Sequence, residues 1–245
     1  MYHDVFEENP DESGFLSKGA TFYKISQSLF EQHVRSVRAL IDKDEVLEED
    51  VVFTFDDGGC SAENIIAPIL ERYGFHGYFF IATNFIGDSH FLSEEQIKKL
   101  YDRGHYIGAH SNSHPSNISQ MDMDQRRQEW EISATRLSQI TSSQCSSVSI
   151  PNGFFCKEDI GLFNELGIKR VFTSFLLDNK TKENVEIIGR VAINVNTSSF
   201  ELEKILTSRL FRWRICFVQR VLLLFKKILG SKYIVIKKRF RERFS

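Results

Sequence analysis

The chain has little cysteine, and what it has is scattered. Four residues in 245, Cys60, Cys145, Cys156 and Cys216, show no C-x-x-C spacing, which excludes a zinc ribbon or a disulfide framework and fits a reducing compartment. No stretch approaches the roughly 18 consecutive apolar residues that span a bilayer. The opening residues, MYHDVFEENP, lack the basic region and apolar run of a secretory leader, so the sequence reads as a cytoplasmic protein. Internal repeats and low-complexity linkers are absent. Acidic residues are scarce in one part only: from Glu203 to Ser245 thirteen Lys and Arg face two Glu, a balance of +11, whereas residues 1–202 carry −13. An acidic body argues against a nucleic-acid groove. The basic end suits an acidic surface, of which phospholipid is the plainest example.

What is present is an alternation of strands and helices. With 42% hydrophobic residues the chain has material for a substantial core. Strands are expected at VVFTF, GYFFIAT, YIGAHS, SSVSI and RVFTSF, with helices between them at Asn64 to Tyr73, after Ser93, from Asp122 to Ile140 and at DIGLFNELG. Ser93 and Gln96 have capping-box spacing, as do Ser28 and Glu31 at the head of an earlier helix running to about Ile41. Such alternation over most of the chain implies a parallel sheet or barrel.

Two motifs carry chemistry. FTFDDGG ends a buried strand on Asp56 and Asp57. Adjacent carboxylates at the carboxyl end of a strand either form an Asp-Gly turn or stand at a site where a cation offsets their repulsion. In GAHSNSHPS, His110 and His114 follow a strand and can converge on one ion with a carboxylate, the donor set of a catalytic zinc; loop histidines without a metal are the alternative.

TFDDG at Thr54 to Gly58, followed by HSNSH at His110 to His114, resembles the first two motifs of the polysaccharide deacetylases, carbohydrate esterase family four. SIPNG at Ser149 to Gly153 is similar to the third, and YHDV with the helix near SLFEQHV resembles family members found with surface-polysaccharide genes. The resemblance covers about residues 1–200. It implies an α/β fold, a distorted (β/α) barrel, and a divalent metal ion, usually zinc. It makes Asp57, His110 and His114 the ligands and Asp56 the general base, with Pro151, Asn152 and Gly153 walling the groove and the Asn152 N–H facing the oxyanion. The activity it implies is removal of an N-acetyl group from an amino sugar in a glycan, a glycan precursor or a lipid-linked sugar.

The chain departs from that family in places. No histidine follows His114, although the family's last motif supplies one as general acid, and the late strand IIGRVAINV offers Arg190 instead. Arginine does not release a proton near neutral pH; it can orient Asp56 or a substrate phosphate or carboxylate. Asn152 stands where an aromatic is usual, and the third motif lacks its arginine. A catalytically silent relative that binds glycan or a partner, and a deacylase acting on another group such as formyl, therefore stand as alternatives. The proton for the amine could return from Asp56 or come from His3 on the first strand; His3 also reads as a buried histidine bonded to a backbone carbonyl. His33, His76, His90 and His105 read as structural or solvated.

From the alternation the chain divides into a barrel, residues 1–202, and a tail, 203–245. In the tail Leu206, Leu210, Trp213, Phe217, Val221, Leu224 and Ile228 form a helical stripe, expected to lie in a membrane interface or to cap the barrel. KKRFRERFS at the end is too basic for a core and reads as solvated.

Overall fold

The structure, a computed structural model, describes residues 1–176 and 179–229, with side chains described as far as Val221 in the last helix. The first strands, β1 (Val5–Phe6) and β2 (Ile25–Ser26), pair in parallel around the short helix α1 (Lys18–Thr21). Helix α2 (Gln27–Asp42) buries Phe30, His33, Val34, Val37 and Leu40. Its cap lies two residues before the expected one: the Ser26 hydroxyl accepts the Leu29 N–H at 3.3 Å, and the Ser28 hydroxyl bonds that of Ser26.

There follow β3 (Phe53–Phe55), α3 (Ala67–Arg72), β4 (Gly77–Ile81), α4 (Glu94–Asp102), β5 (Tyr106–Ala109), α5 (Met123–Thr141), β6 (Ser147–Ser149), α6 (Asp159–Glu165) and β7 (Arg170–Thr173). The expected helix over Asn64 to Tyr73 begins as a π-helical turn, Ala62–Ile66, before α3. Both halves of the capping box at Ser93 and Gln96 are made. Beyond β7 come β8 (Lys180–Lys182), which the sequence does not announce, and β9 (Val185–Gly189), which ends one residue before Arg190.

These strands form one seven-stranded sheet in the order β3-β4-β5-β6-β7-β9-β8, parallel except for the antiparallel pair β8 and β9. Parallel neighbours that follow chain order step always in one direction, so the sheet curls on itself instead of fanning from a central reversal. This is the distorted half-barrel of the α/β class. The N-terminal segment continues the curl beyond β3: the Tyr2 N–H donates to the Thr54 carbonyl at 2.7 Å, and the Asp56 N–H to the Tyr2 carbonyl at 3.1 Å. On its other side the Ile193 N–H, past β9, donates to the Met1 carbonyl at 2.9 Å. Aromatics fill the interior, with Phe55 stacked on Phe79 at 5.0 Å and on Tyr2 at 5.6 Å, and Phe30 edge-on to both Tyr2 and Phe55.

The first compact unit runs to Thr207, five residues past the expected boundary. Helix α7 (Ser199–Thr207) belongs to it, because Leu202 and Ile205 are buried and the helix packs on α2. In the second unit the described element is α8 (Arg209–Leu229). Ser208 separates the two helices and caps the second, its hydroxyl accepting the Phe211 N–H at 3.3 Å. The stripe expected as one helix is therefore split, with Leu206 on α7 and the rest on α8. The side chains of Leu224 and Ile228, and the KKRFRERFS end, lie outside the described residues.

Candidate metal site

The site is built at the carboxyl ends of the parallel strands, where rigid backbone delivers side chains into the loops. Asp56 and Asp57 follow β3, His110 follows β5, and Ser149 ends β6. Asp57 Oδ1 stands 3.4 Å from His110 Nε2 and 3.4 Å from His114 Nε2. The donor atoms of these three residues all lie within 4.8 Å of one another, the only such group of His, Cys, Asp or Glu among the described residues. Asp57 and His110 are buried, and His114 is half-buried.

His110 Nδ1 lies 2.9 Å from the Ser149 carbonyl. A carbonyl only accepts, so Nδ1 carries the proton and a neutral His110 aims the Nε2 lone pair at the Asp57 oxygen. Two electron-rich atoms facing each other in a buried place call for a proton or a cation between them. Burial opposes charge on His110, but Asp56 and Asp57 override it and raise its pKa. Burial and the neighbouring His110 push His114 down to about 4. For Asp57, burial is outweighed by the His110 hydrogen bond, His3 and His114, and its pKa falls. The set of one carboxylate and two imidazoles, one oriented by a carbonyl behind it, suits a divalent cation.

Asp56 is turned away to a different partner. Arg190 grips it with two parallel bonds of 2.8 Å, Nη1 to Oδ1 and Nη2 to Oδ2, and the Ser149 hydroxyl donates to Oδ2 at 3.0 Å. The remaining guanidinium donors go to the Thr173 carbonyl, Thr54 Oγ1 and Ser149 Oγ at 3.1, 3.1 and 2.7 Å. All five N–H groups of Arg190 are thus committed, and none is left for a substrate phosphate or carboxylate. Its guanidinium also lies over the rings of Phe80 and Phe172. Burial alone would raise the pKa of Asp56; the charges of Arg190, His110 and His3 reverse this and hold it well below the usual carboxylate range.

The HSNSH loop is strained and clamped. Ser111 and His114 have φ of 60° and 52°, Asp57 and Asn152 have 80° and 55°, and these four are half of the eight non-glycine residues with positive φ among the described residues. Such conformations persist only where surrounding bonds over-determine them. Glu129 on α5 accepts from the Asn112 and Ser113 N–H groups at 2.9 and 2.8 Å and from the Ser113 hydroxyl at 2.6 Å. Ser133, one turn on, donates to the Ser111 carbonyl, and Ser111 Oγ accepts the His114 N–H. Glu129, Ser149, Ser133 and Thr54 escape the sequence reading of the site. For Glu129 a signal existed: it falls on the same helical face as Arg126, Trp130, Ser133 and Leu137, all buried.

The turn Pro151–Gly153 follows β6, with Pro151 and Gly153 buried and Asn152 exposed. The Gly153 N–H is used by the Ile150 carbonyl and that of Phe154 by Pro151.

His3 lies close enough that its charge acts on Asp56, Asp57 and His114. It does not bond a carbonyl through Nδ1, which is buried without a partner among the described residues, and its ring packs on Tyr23 at 5.0 Å. Beyond it the arm is pinned by buried Asp4, whose Oδ1 accepts from Ser13 and Ser61, and by Lys24 Nζ, which donates to the Pro10 and Ser13 carbonyls. A Cβ on Gly14 or Gly59 would fall 2.0 or 1.9 Å from an Asp4 carboxylate oxygen. The pinned arm carries Phe15, whose ring lies 5.0 Å from that of His114 and meets Phe85 and Phe91 edge-on. His33 bonds Tyr2 and Thr197, and His105 bonds Gly77 and Glu71, both as structural residues.

A family model described as "Polysaccharide deacetylase" matches residues 43–171. The Peptidoglycan-N-acetylmuramic acid deacetylase PdaA of Bacillus subtilis is 30% identical over 132 residues, covering 52% of this chain and 47% of that protein. The chain spans about half the length of the curated relatives it matches. Among solved structures, the Streptococcus pyogenes deacetylase PplD in complex with acetate superposes with a TM-score of 0.67 at 20% identity, over 84% of this chain and 95% of that one. A de-N-acetylase from Aggregatibacter actinomycetemcomitans gives 0.66 at 17% identity, over 84% and 97%. At these identities the superpositions establish the fold.

Proposed function

The chain belongs to the polysaccharide deacetylase family, and on that premise we propose that it is a metal-dependent hydrolase removing an N-acetyl group from an amino sugar in a glycan or glycan precursor. The observation that carries the reading is the pairing of Asp57, His110 and His114 around one point beside an ionised Asp56. Zinc is the proposed ion, because one carboxylate and two imidazoles would hold it and both histidines lie 3.4 Å from Asp57. A divalent ion held there supplies Lewis-acid polarisation of the acetamide carbonyl and makes the attacking water more acidic.

The chain's own groups do the rest. Asp56, kept ionised by Arg190, takes the proton from the attacking water. A carboxylate held this far below neutrality is a weak base, so its contribution lies in position and charge more than in proton affinity. Arg190, whose donors end on Asp56, Thr54, Ser149 and Thr173 inside the protein, is a positioning residue. The Asn152 N–H, beyond Pro151, is assigned to the developing oxyanion. His3 is assigned the proton for the departing amine, because it combines an unpartnered buried nitrogen with electrostatic contact to both aspartates. With His3 in that role, the departing amine has a proton source despite the absence of a late histidine. The half-buried rings of Phe15, Phe85 and Phe91 provide a wall beside His114 against which the apolar face of a pyranose can stack.

Acetate release from a panel of N-acetylated sugars, nucleotide sugars and lipid-linked sugars, with and without added zinc, tests the proposal. Release that depends on metal and is lost in His3→Gln is expected. No release from any member, by a protein that binds zinc, would turn the reading to a glycan-binding role.

A further inference from the structure

Helix α8 contains six Lys and Arg and no acidic residue. At about 100° per residue, Leu210, Trp213, Phe217 and Val221 fall within a narrow sector of its surface. Leu210, Trp213 and Phe217 are 69%, 62% and 55% exposed, which is far from the state of a core residue. Trp213 and Phe217 stack at 5.7 Å into one flat apolar face. Exposed cations border this sector on both sides, Arg209 and Arg220 on one and Arg214 on the other. No helix among the described residues is long and apolar enough to cross a membrane.

We propose that α8 lies flat in an anionic lipid interface, with the Leu210, Trp213, Phe217 and Val221 stripe in the acyl boundary and the flanking arginines at lipid phosphates. An apolar stripe between two basic margins matches a surface that is apolar below and negatively charged above. A second copy of the chain is a poorer cover, because pairing two such stripes sets Arg against Arg with no acid at the margins to relieve them. The acidic side of another protein would meet the arginines but leave the stripe in water. Residues 1–202, at −13, are repelled by the same lipid plane, so attachment depends on the basic end of the chain that carries the helix.

The full-length protein is mixed with vesicles of phosphatidylcholine alone and with vesicles of phosphatidylcholine and phosphatidylglycerol in equal parts, and sedimented. Binding to the anionic vesicles is expected, weaker on the order of 10²-fold without phosphatidylglycerol, and reduced but not abolished by salt, since apolar burial is not screened. Brominated lipid should quench Trp213 and leave buried Trp130, at 1% exposure, untouched; Trp213→Phe should keep binding and lose the quenching. Arg220→Gln should weaken binding about fivefold. Trp213→Glu combined with Phe217→Glu, with an unchanged circular dichroism spectrum, should abolish it. Absence of sedimentation, equal binding to neutral vesicles, an unquenched Trp213, or binding by the double variant would each overturn the proposal. Lipid-free self-association that the double variant removes would overturn it too, in favour of a second copy. None of these readouts uses turnover, so they stand or fall apart from the deacetylase reading.

Discussion

Asp56 and Asp57 are adjacent in sequence, yet they face different neighbours, Arg190 for one and two histidines for the other, and the two should therefore fail differently. In His114→Ala, bound divalent metal measured by elemental analysis should fall well below one per chain; equal content in variant and parent would remove Asp57, His110 and His114 as the ligand set. Asp56→Asn should keep the metal and lose turnover on the order of 10²-fold or more, as expected for loss of a general base. Its melting temperature should also drop, because a buried Arg190 then lacks its counter-charge. Arg190→Lys preserves the charge but not the fork. With every donor of Arg190 already used inside the protein, the loss should appear in kcat, on the order of 10²-fold for a carboxylate displaced by an ångström, with KM unchanged. A raised KM at constant kcat would show that Arg190 touches substrate.

At the level of elements, α5 matters as much as the strands, because it holds the loop that presents His110 and His114. Glu129→Gln retains the shape but weakens three charge-assisted bonds, and metal affinity should fall about 10–100-fold, the usual cost of losing a supporting partner. Unaltered affinity by competition with a chelator would show that the strained loop holds itself. The motifs and the alternation were legible in the sequence because local chemistry determines them. Phe53-Thr54-Phe55 before Asp-Asp-Gly is a buried strand meeting a polar turn, although the strand does not take in Val51 and the exposed Val52, and Ser93 with Gln96 makes its capping box from within four residues. The Ser28 cap failed because two serines compete for one helix end, and the one nearer β2 won. Ser149 was illegible as a site residue because its importance lies in a partner 93 residues away, a distance over which pattern carries no information, whereas the helical face of Glu129 signalled burial but not its partners 16 and 17 residues away.

For the molecule as a whole, α7 determines where the chain can be cut. Ending it after Thr207 should leave the melting temperature of the first unit unchanged, whereas ending it after Leu202 removes buried Ile205 and should cost about 1.5–3 kcal/mol in denaturant unfolding. Equal stability of the two would mean that α7 contributes nothing to the first unit. The junction of Asp56 with Arg190 has a consequence in time as well as in space. Asp57, His110 and His114 lie within one continuous stretch of chain, while Arg190 is 134 residues from Asp56 and meets it only when β9 has docked. Long-range closure of this kind is slow compared with forming neighbouring strands. A refolding chain should accordingly acquire its affinity for a divalent ion before it acquires turnover. In the interval it carries a half-finished centre, with Asp56 still lacking its guanidinium, so the gap between the two recovery rates, read by stopped-flow metal uptake and by acetate release, measures how late the barrel closes.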